Sequence, residues 1–64
     1  MKPIYAFNDY LFEIWPLDKY ARSHLNTILE QEYIDSEIIP TTMGTEAYKF
    51  SPENYRILKE RLTG

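Results

Sequence analysis

A chain of 64 residues without one cysteine must hold itself together by side-chain packing alone. At this length folding hides only about 60% of the surface that the unfolded chain exposes, so the core is thin. Small domains usually reinforce such a core with disulfides or a structural metal. Here there is no thiol, and a single histidine cannot build a zinc site. The length allows one small domain over residues 1–64.

Aromatic side chains must therefore supply much of the core. Six Tyr, three Phe and one Trp are too many for a solvated, disordered tail. Each can bury about 150–250 Å², so few residues provide much apolar contact. The set Tyr5, Phe7, Tyr10, Phe12 and Trp15 reads first as core. An interface with a partner or a second copy is the alternative, and a base-stacking platform the third reading.

The longest apolar-leaning stretch, Tyr10 to Leu17, is interrupted by Glu13 and Pro16. It falls far short of the roughly 20 residues that a membrane span needs. Asn8, Asp9 and Glu13 likewise interrupt any apolar region of a secretory signal. The expected setting is intracellular and cytoplasmic, with no membrane contact.

Local chemistry places the elements. Ser51 can cap a helix, Pro52 suits its first position, and Glu53 puts negative charge near the positive end of the dipole. Phe50 and Tyr55 flank the cap as a hydrophobic staple. Tyr55, Leu58 and Leu62 then share a face, which predicts a helix over 52–62. Pro16 breaks the preceding element and Asp18 can cap the next. Leu17, Ala21, Leu25, Ile28 and Leu29 recur at spacings of three and four, predicting a helix over about 18–32.

Ile38-Ile39 suggests a short strand that Pro40 confines to an edge. Met43-Gly44 supplies a turn, and Glu46, Tyr48 and Phe50 alternate with Ala47 and Lys49 as a second strand, making a β-hairpin. The N-terminus admits two readings. Residues 4–7 and 10–15 can be strands around Asn8-Asp9, or Asn8 can cap a short helix over 9–15 after a strand at 4–6. The helical reading is preferred here, because it gives Leu11, Phe12, Ile14 and Trp15 a surface to cover the thin core. The expected architecture is α+β: two N-terminal helices, a β-hairpin and a C-terminal helix.

That order resembles the small winged-helix domains of the MerR and phage excisionase kind. The resemblance runs from Leu25 onward: a helix ending at Glu30-Gln31-Glu32-Tyr33-Ile34, the Ile38-Ile39-Pro40 strand, a glycine turn, and an aromatic strand running into Phe50-Ser51-Pro52-Glu53-Asn54. It implies that helix 18–32 is a recognition helix and that Thr41–Thr45 is the wing. Lys19, Arg22, Ser23 and Asn26 would then meet DNA, with Thr41, Thr42 and Thr45 on the wing and Lys49 nearby. Arg and Asn suit base edges, and Lys and Ser suit phosphates.

The chain departs from this pattern in charge. The wing tip carries no basic residue, and the net charge is −3, whereas affinity for nucleic acid comes largely from phosphate neutralisation. The charge is segregated, however. Residues 19–29 hold Lys19, Arg22 and His24 and no acid, while residues 30–37 hold Glu30, Glu32, Asp35 and Glu37 and no base. That order opposes the helix dipole.

Catalytic and cofactor chemistry find little support. His24 stands alone and reads as a half-exposed residue on a helix flank. The four acids lack calcium-loop spacing and read as a solvated face or a docking surface. Ser23 and His24 are neighbours on a helix and so do not face each other. Gly44 alone makes no phosphate-cradling loop. No enzyme activity and no cofactor are expected.

Two functions from different classes follow. One is a small winged-helix-like regulatory protein that binds DNA, as a homodimer or within a transcription or recombination complex. The other is an acidic protein-binding module or inhibitor that does not touch nucleic acid. It would use Glu30, Glu32, Asp35 and Glu37 against a basic patch, with Trp15 as an aromatic anchor. An acidic chain of this size is similar to the accessory factors of phages and mobile elements.

Overall fold

The computed structural model describes residues 3–41 and 46–64. It opens with a hairpin, strands β1 (Tyr5–Asn8) and β2 (Glu13–Pro16), paired from Tyr5↔Pro16 to Asn8↔Glu13. The turn is built by Asn8, whose Oδ1 accepts the backbone N–H groups of Tyr10 and Leu11 at 2.9 and 3.0 Å. Phe12 then takes a left-handed conformation, φ 56°, that turns the chain into β2.

This corrects the expected short helix over 9–15, and with it the arrangement of two helices before the hairpin. The chain runs in the order β1, β2, α1 (Lys19–Glu32), β3 (Glu37–Pro40), β4 (Glu46–Lys49) and α2 (Pro52–Thr63). Asn8 does cap backbone N–H groups, as the helical reading asks. A polar side chain can close a turn with the same bonds that start a helix. Long-range pairing decides between them: β2 is hydrogen-bonded to β1 on one side and β4 on the other.

The four strands form one antiparallel sheet in the order β1-β2-β4-β3. The β3–β4 hairpin is thus no outlying wing. Its strand β4 is central, with Ile14↔Tyr48 on one side and Ile38↔Tyr48 on the other. The winged-helix-like arrangement is overturned by this sheet. β3 lies at the edge, as Pro40 requires.

Both helices follow their sequence signals. The Asp18 carboxylate accepts Ala21 N–H at 2.7 Å, and the Ser51 hydroxyl accepts Asn54 N–H at 3.3 Å. Pro52 opens α2. α1 ends on Tyr33 in a left-handed conformation, with Ile34 N–H returning to the Leu29 carbonyl at 3.0 Å.

Both helices cover the same face of the sheet. Leu25 and Ile28 of α1 and Tyr55 and Leu58 of α2 join Ile14, Tyr48 and Phe50 in a single core. Tyr5, Phe7, Phe12, Leu29, Ile34 and Leu62 pack around it. The domain measures 27 × 26 × 19 Å, its short axis being the depth of one sheet and one helical layer. Among the described residues no helix is long and apolar enough to cross a membrane.

Candidate functional site: the helix-free face of the sheet

Side chains alternate along a strand, so the residues between the core positions point away from the helices. The β1–β2 register sets Ala6 beside Trp15 and Asn8 beside Glu13. The β3–β4 register sets Ile39 beside Ala47 and Glu37 beside Lys49. Glu13↔Lys49 and Ile14↔Tyr48 join the two halves, and the same register carried one residue further sets Trp15 toward Ala47. Two rows therefore cross the sheet: Ala6, Trp15, Ala47, Ile39, and Asn8, Glu13, Lys49, Glu37. The ladder continues one residue further, because Leu17 N–H donates to the Ile4 carbonyl at 2.9 Å. Ile4 and Leu17 thus extend the first, apolar row, and they are 56% and 49% exposed.

The face is locally ordered despite facing solvent. Trp15 Nε1 donates to Glu13 Oε1 at 3.2 Å, which fixes the indole along its own strand. Ala47, between Trp15 and Ile39, is only 1% exposed. Glu13 is the one buried charged residue among those described, and the indole satisfies it. Lys49 stands between Glu13 and Glu37, so this row alternates in sign with acids in excess.

The aromatic set divides. Tyr5, Phe7 and Phe12 pack on the core, Trp15 lies on the helix-free face, and Tyr10 is exposed at the tip of the first turn. The core tyrosines anchor their hydroxyls at its rim. Tyr5 donates to the Ala21 carbonyl at 3.0 Å and lies 2.9 Å from His24 Nδ1. Tyr48 donates to Asn26 Oδ1 at 3.1 Å. Tyr55 donates to Asp9, which also accepts from Lys59 Nζ at 2.8 Å. Burial, reinforced by the Asp18 charge, pushes the Tyr5 hydroxyl up to about 12. Burial and then Asp9 raise Tyr55 further. The hydrogen bonds from Lys59 and Tyr55 hold the Asp9 carboxyl below its usual range.

An open groove of about 570 Å³ runs beside α2, lined by Asp9, Phe12, Tyr55, Arg56 and Lys59 among others. Lys59 and Asp9 are already paired there, so they brace the first turn against α2. No cluster of three or more His, Asp or Glu able to hold a metal occurs among the described residues.

The residues proposed for nucleic acid do not form one surface. Lys19, Arg22, Ser23 and Asn26 share the exposed side of α1, with Asn26 engaged by Tyr48. Lys49 lies on the opposite side of the sheet, among acids. Thr42 and Thr45, with the Met43-Gly44 turn, lie outside the described residues. The acids also scatter. Glu30 is exposed near the end of α1, Glu32 pairs with Arg61, and Asp35 is exposed in the α1–β3 connection. Only Glu37 and Trp15 share a face.

Ile4, Ala6, Leu17 and Ile39 were not singled out by the sequence. Leu17 fitted the spacing of the α1 stripe, yet it belongs to the sheet. For Ile4, Ala6 and Leu17 the signal is the alternation of residues 4–8 and 13–17, visible only once these segments are taken as strands, whereas Ile39 lies in a strand that the sequence predicts. No protein-family model, no curated protein and no solved structure matches the chain.

Proposed function

We propose that this chain is a non-catalytic protein-binding module, and that its docking surface is the helix-free face of the sheet. One observation carries the reading: Ile4, Leu17, Ala6, Trp15 and Ile39 form an apolar area on a sheet face that, among the described residues, no helix covers. Apolar area of this kind, rimmed by polar residues, marks interaction sites on small proteins. The rim here is the Glu13–Lys49–Glu37 row, and the chain is acidic overall. Both features favour a partner whose own apolar patch is bordered by basic residues.

The regulatory reading through DNA would use Lys19, Arg22, Ser23 and Asn26 on the far side of α1. The two readings separate in one experiment. A photo-crosslinking residue is placed at Leu17 or Ile39 on the sheet face, and at Arg22 or Asn26 on α1, in protein expressed in its host. The protein-binding reading expects a discrete protein adduct from the sheet positions, lost when Trp15 is replaced by Ala. Equal adducts from all four positions would overturn it. So would duplex DNA binding that falls steeply with salt and depends on Arg22.

A further inference from the structure

The two edges of the sheet are not alike. The bond from Leu17 N–H to the Ile4 carbonyl makes Ile4↔Leu17 a hydrogen-bonded pair. Pairs alternate along an antiparallel ladder, so Ala6 and Asn8 also bond inward to β2. The N–H and C=O groups of Tyr5 and Phe7 therefore point outward from β1. On the other side, Phe50 N–H donates to the Phe12 carbonyl at 3.0 Å, in register with Ile14↔Tyr48. Tyr48 thus bonds to β2, while Ala47 and Lys49 bond to β3. This leaves Ile38 and Pro40 facing out from β3.

Natural sheets protect their edges with charge, proline or short strands. β3 is protected in this way: Pro40 has no N–H, and Glu37 begins the strand. Ile38 alone offers an outward donor there. β1 is equally short, four residues with Pro3 shortly before it, but the strand itself carries neither of the other two devices. Ile4, Tyr5, Ala6 and Phe7 carry no charge, bulge or proline, and two outward donor–acceptor residues lie two positions apart.

We infer that β1 is a pairing edge, and that its occupant is β1 of a second copy of this chain. The register is self-complementary. With Ala6 opposite Ala6 of the second copy, Tyr5 of each chain faces Phe7 of the other, and all four outward N–H groups find carbonyls. The small Ala6 side chains meet on the two-fold axis at the closely spaced, non-hydrogen-bonded position. Tyr5 and Phe7 form cross-strand aromatic pairs on the other face. The axis stands perpendicular to the sheet, so both helical layers lie on one side. The apolar rows then run without interruption across eight strands. This inference does not depend on what the helix-free face binds.

Because the chain has no cysteine, a single introduced thiol reports the register. Cα atoms about 4.5 Å apart at a non-bonded pair lie within disulfide range. Ala6→Cys is expected to form a covalent dimer at least about tenfold faster than Ser23→Cys on α1 under mild oxidant. Wild-type protein is expected to double its 7.7 kDa mass in sedimentation between about 10 µM and about 1 mM. Over that range Tyr5 and Phe7 amide exchange slows while Ile38 does not. Ala6→Lys, at an exposed position, should keep its circular dichroism and stay monomeric. A monomeric wild type throughout, equal crosslinking of the two cysteine variants, protection at Ile38 instead of Tyr5 and Phe7, or a dimeric Ala6→Lys would each overturn the inference.

Discussion

Among the described residues, two other than glycine carry a left-handed backbone, and they differ in what offsets the strain. Phe12, φ 56°, sets its ring edge-on to Tyr55 with centroids 5.7 Å apart, and it packs on the core. Tyr33, φ 54°, ends α1 and is 94% exposed. Its ring has no packing to lose, and the position is one that glycine normally fills. Tyr33→Gly is therefore expected to raise stability by about 0.5–1 kcal/mol in urea denaturation. Phe12→Gly should lower it by about 1–2 kcal/mol, because the ring contact is lost with the strain. The core tyrosines set a limit at high pH. The neutral hydroxyl of Tyr5 is favoured in the fold, its value being pushed up to about 12 from an ordinary 10.0. Its contribution is complete below about pH 10 and is lost as pH rises through about 12. Tyr48 and Tyr55 are raised in the same sense. Near-UV circular dichroism should therefore collapse together with the 295 nm absorbance rise of these tyrosinates. Asp9 works in the opposite direction: its lowered value contributes stability above its unfolded value, and that is lost as pH falls through the folded one.

At the scale of elements, capping chemistry is local and therefore readable. Asp18, Ser51 and Pro52 announce their helices within four residues, and both helices form where those signals lie. Asp18→Ala should cost about 1 kcal/mol, measured by thermal or urea unfolding, because the Ala21 N–H loses its partner. Asn8→Ala should cost about as much, since its one oxygen serves two N–H groups of the first turn. The first strands were less legible for a physical reason. Asn8 offers the same bonds to a turn and to a helix, and Leu11, Phe12, Ile14 and Trp15 suit either period. What decides is pairing with β4, a partner far along the chain that no local window contains. The candidate surface inherits that difficulty. Trp15 stands out as an aromatic, but Ile4, Ala6, Leu17 and Ile39 gain meaning as one surface only from the register.

For the whole molecule, thinness is the governing property. One core of Ile14, Leu25, Ile28, Tyr48, Phe50, Tyr55 and Leu58 joins all layers, and among the described residues no second cluster supports it. A domain of this size has a total stability of about 3–10 kcal/mol. Leu58 is completely buried between α2 and the sheet, so Leu58→Ala should cost about 2–5 kcal/mol and leave much of the chain unfolded at 37 °C. Circular dichroism at 222 nm against temperature would register this directly. Leu17→Lys, on the uncovered face, should change stability by less than about 0.5 kcal/mol in the same measurement. A large loss there would mean that the face is part of the fold.

The seam between β2 and β4 also sets the order of events during folding. The centre of the sheet joins a strand near the start of the chain to one made after α1 and β3. Until Tyr48 arrives opposite Ile14, the first hairpin has no neighbour on its inner side, and α1 has only half a floor to lie on. As the chain leaves a ribosome, neither half can settle early. Assembly waits on a long-range closure, which slows folding and then makes it abrupt. Nicking the chain anywhere between α1 and β4 would turn that closure into an encounter between two fragments, governed by their concentration.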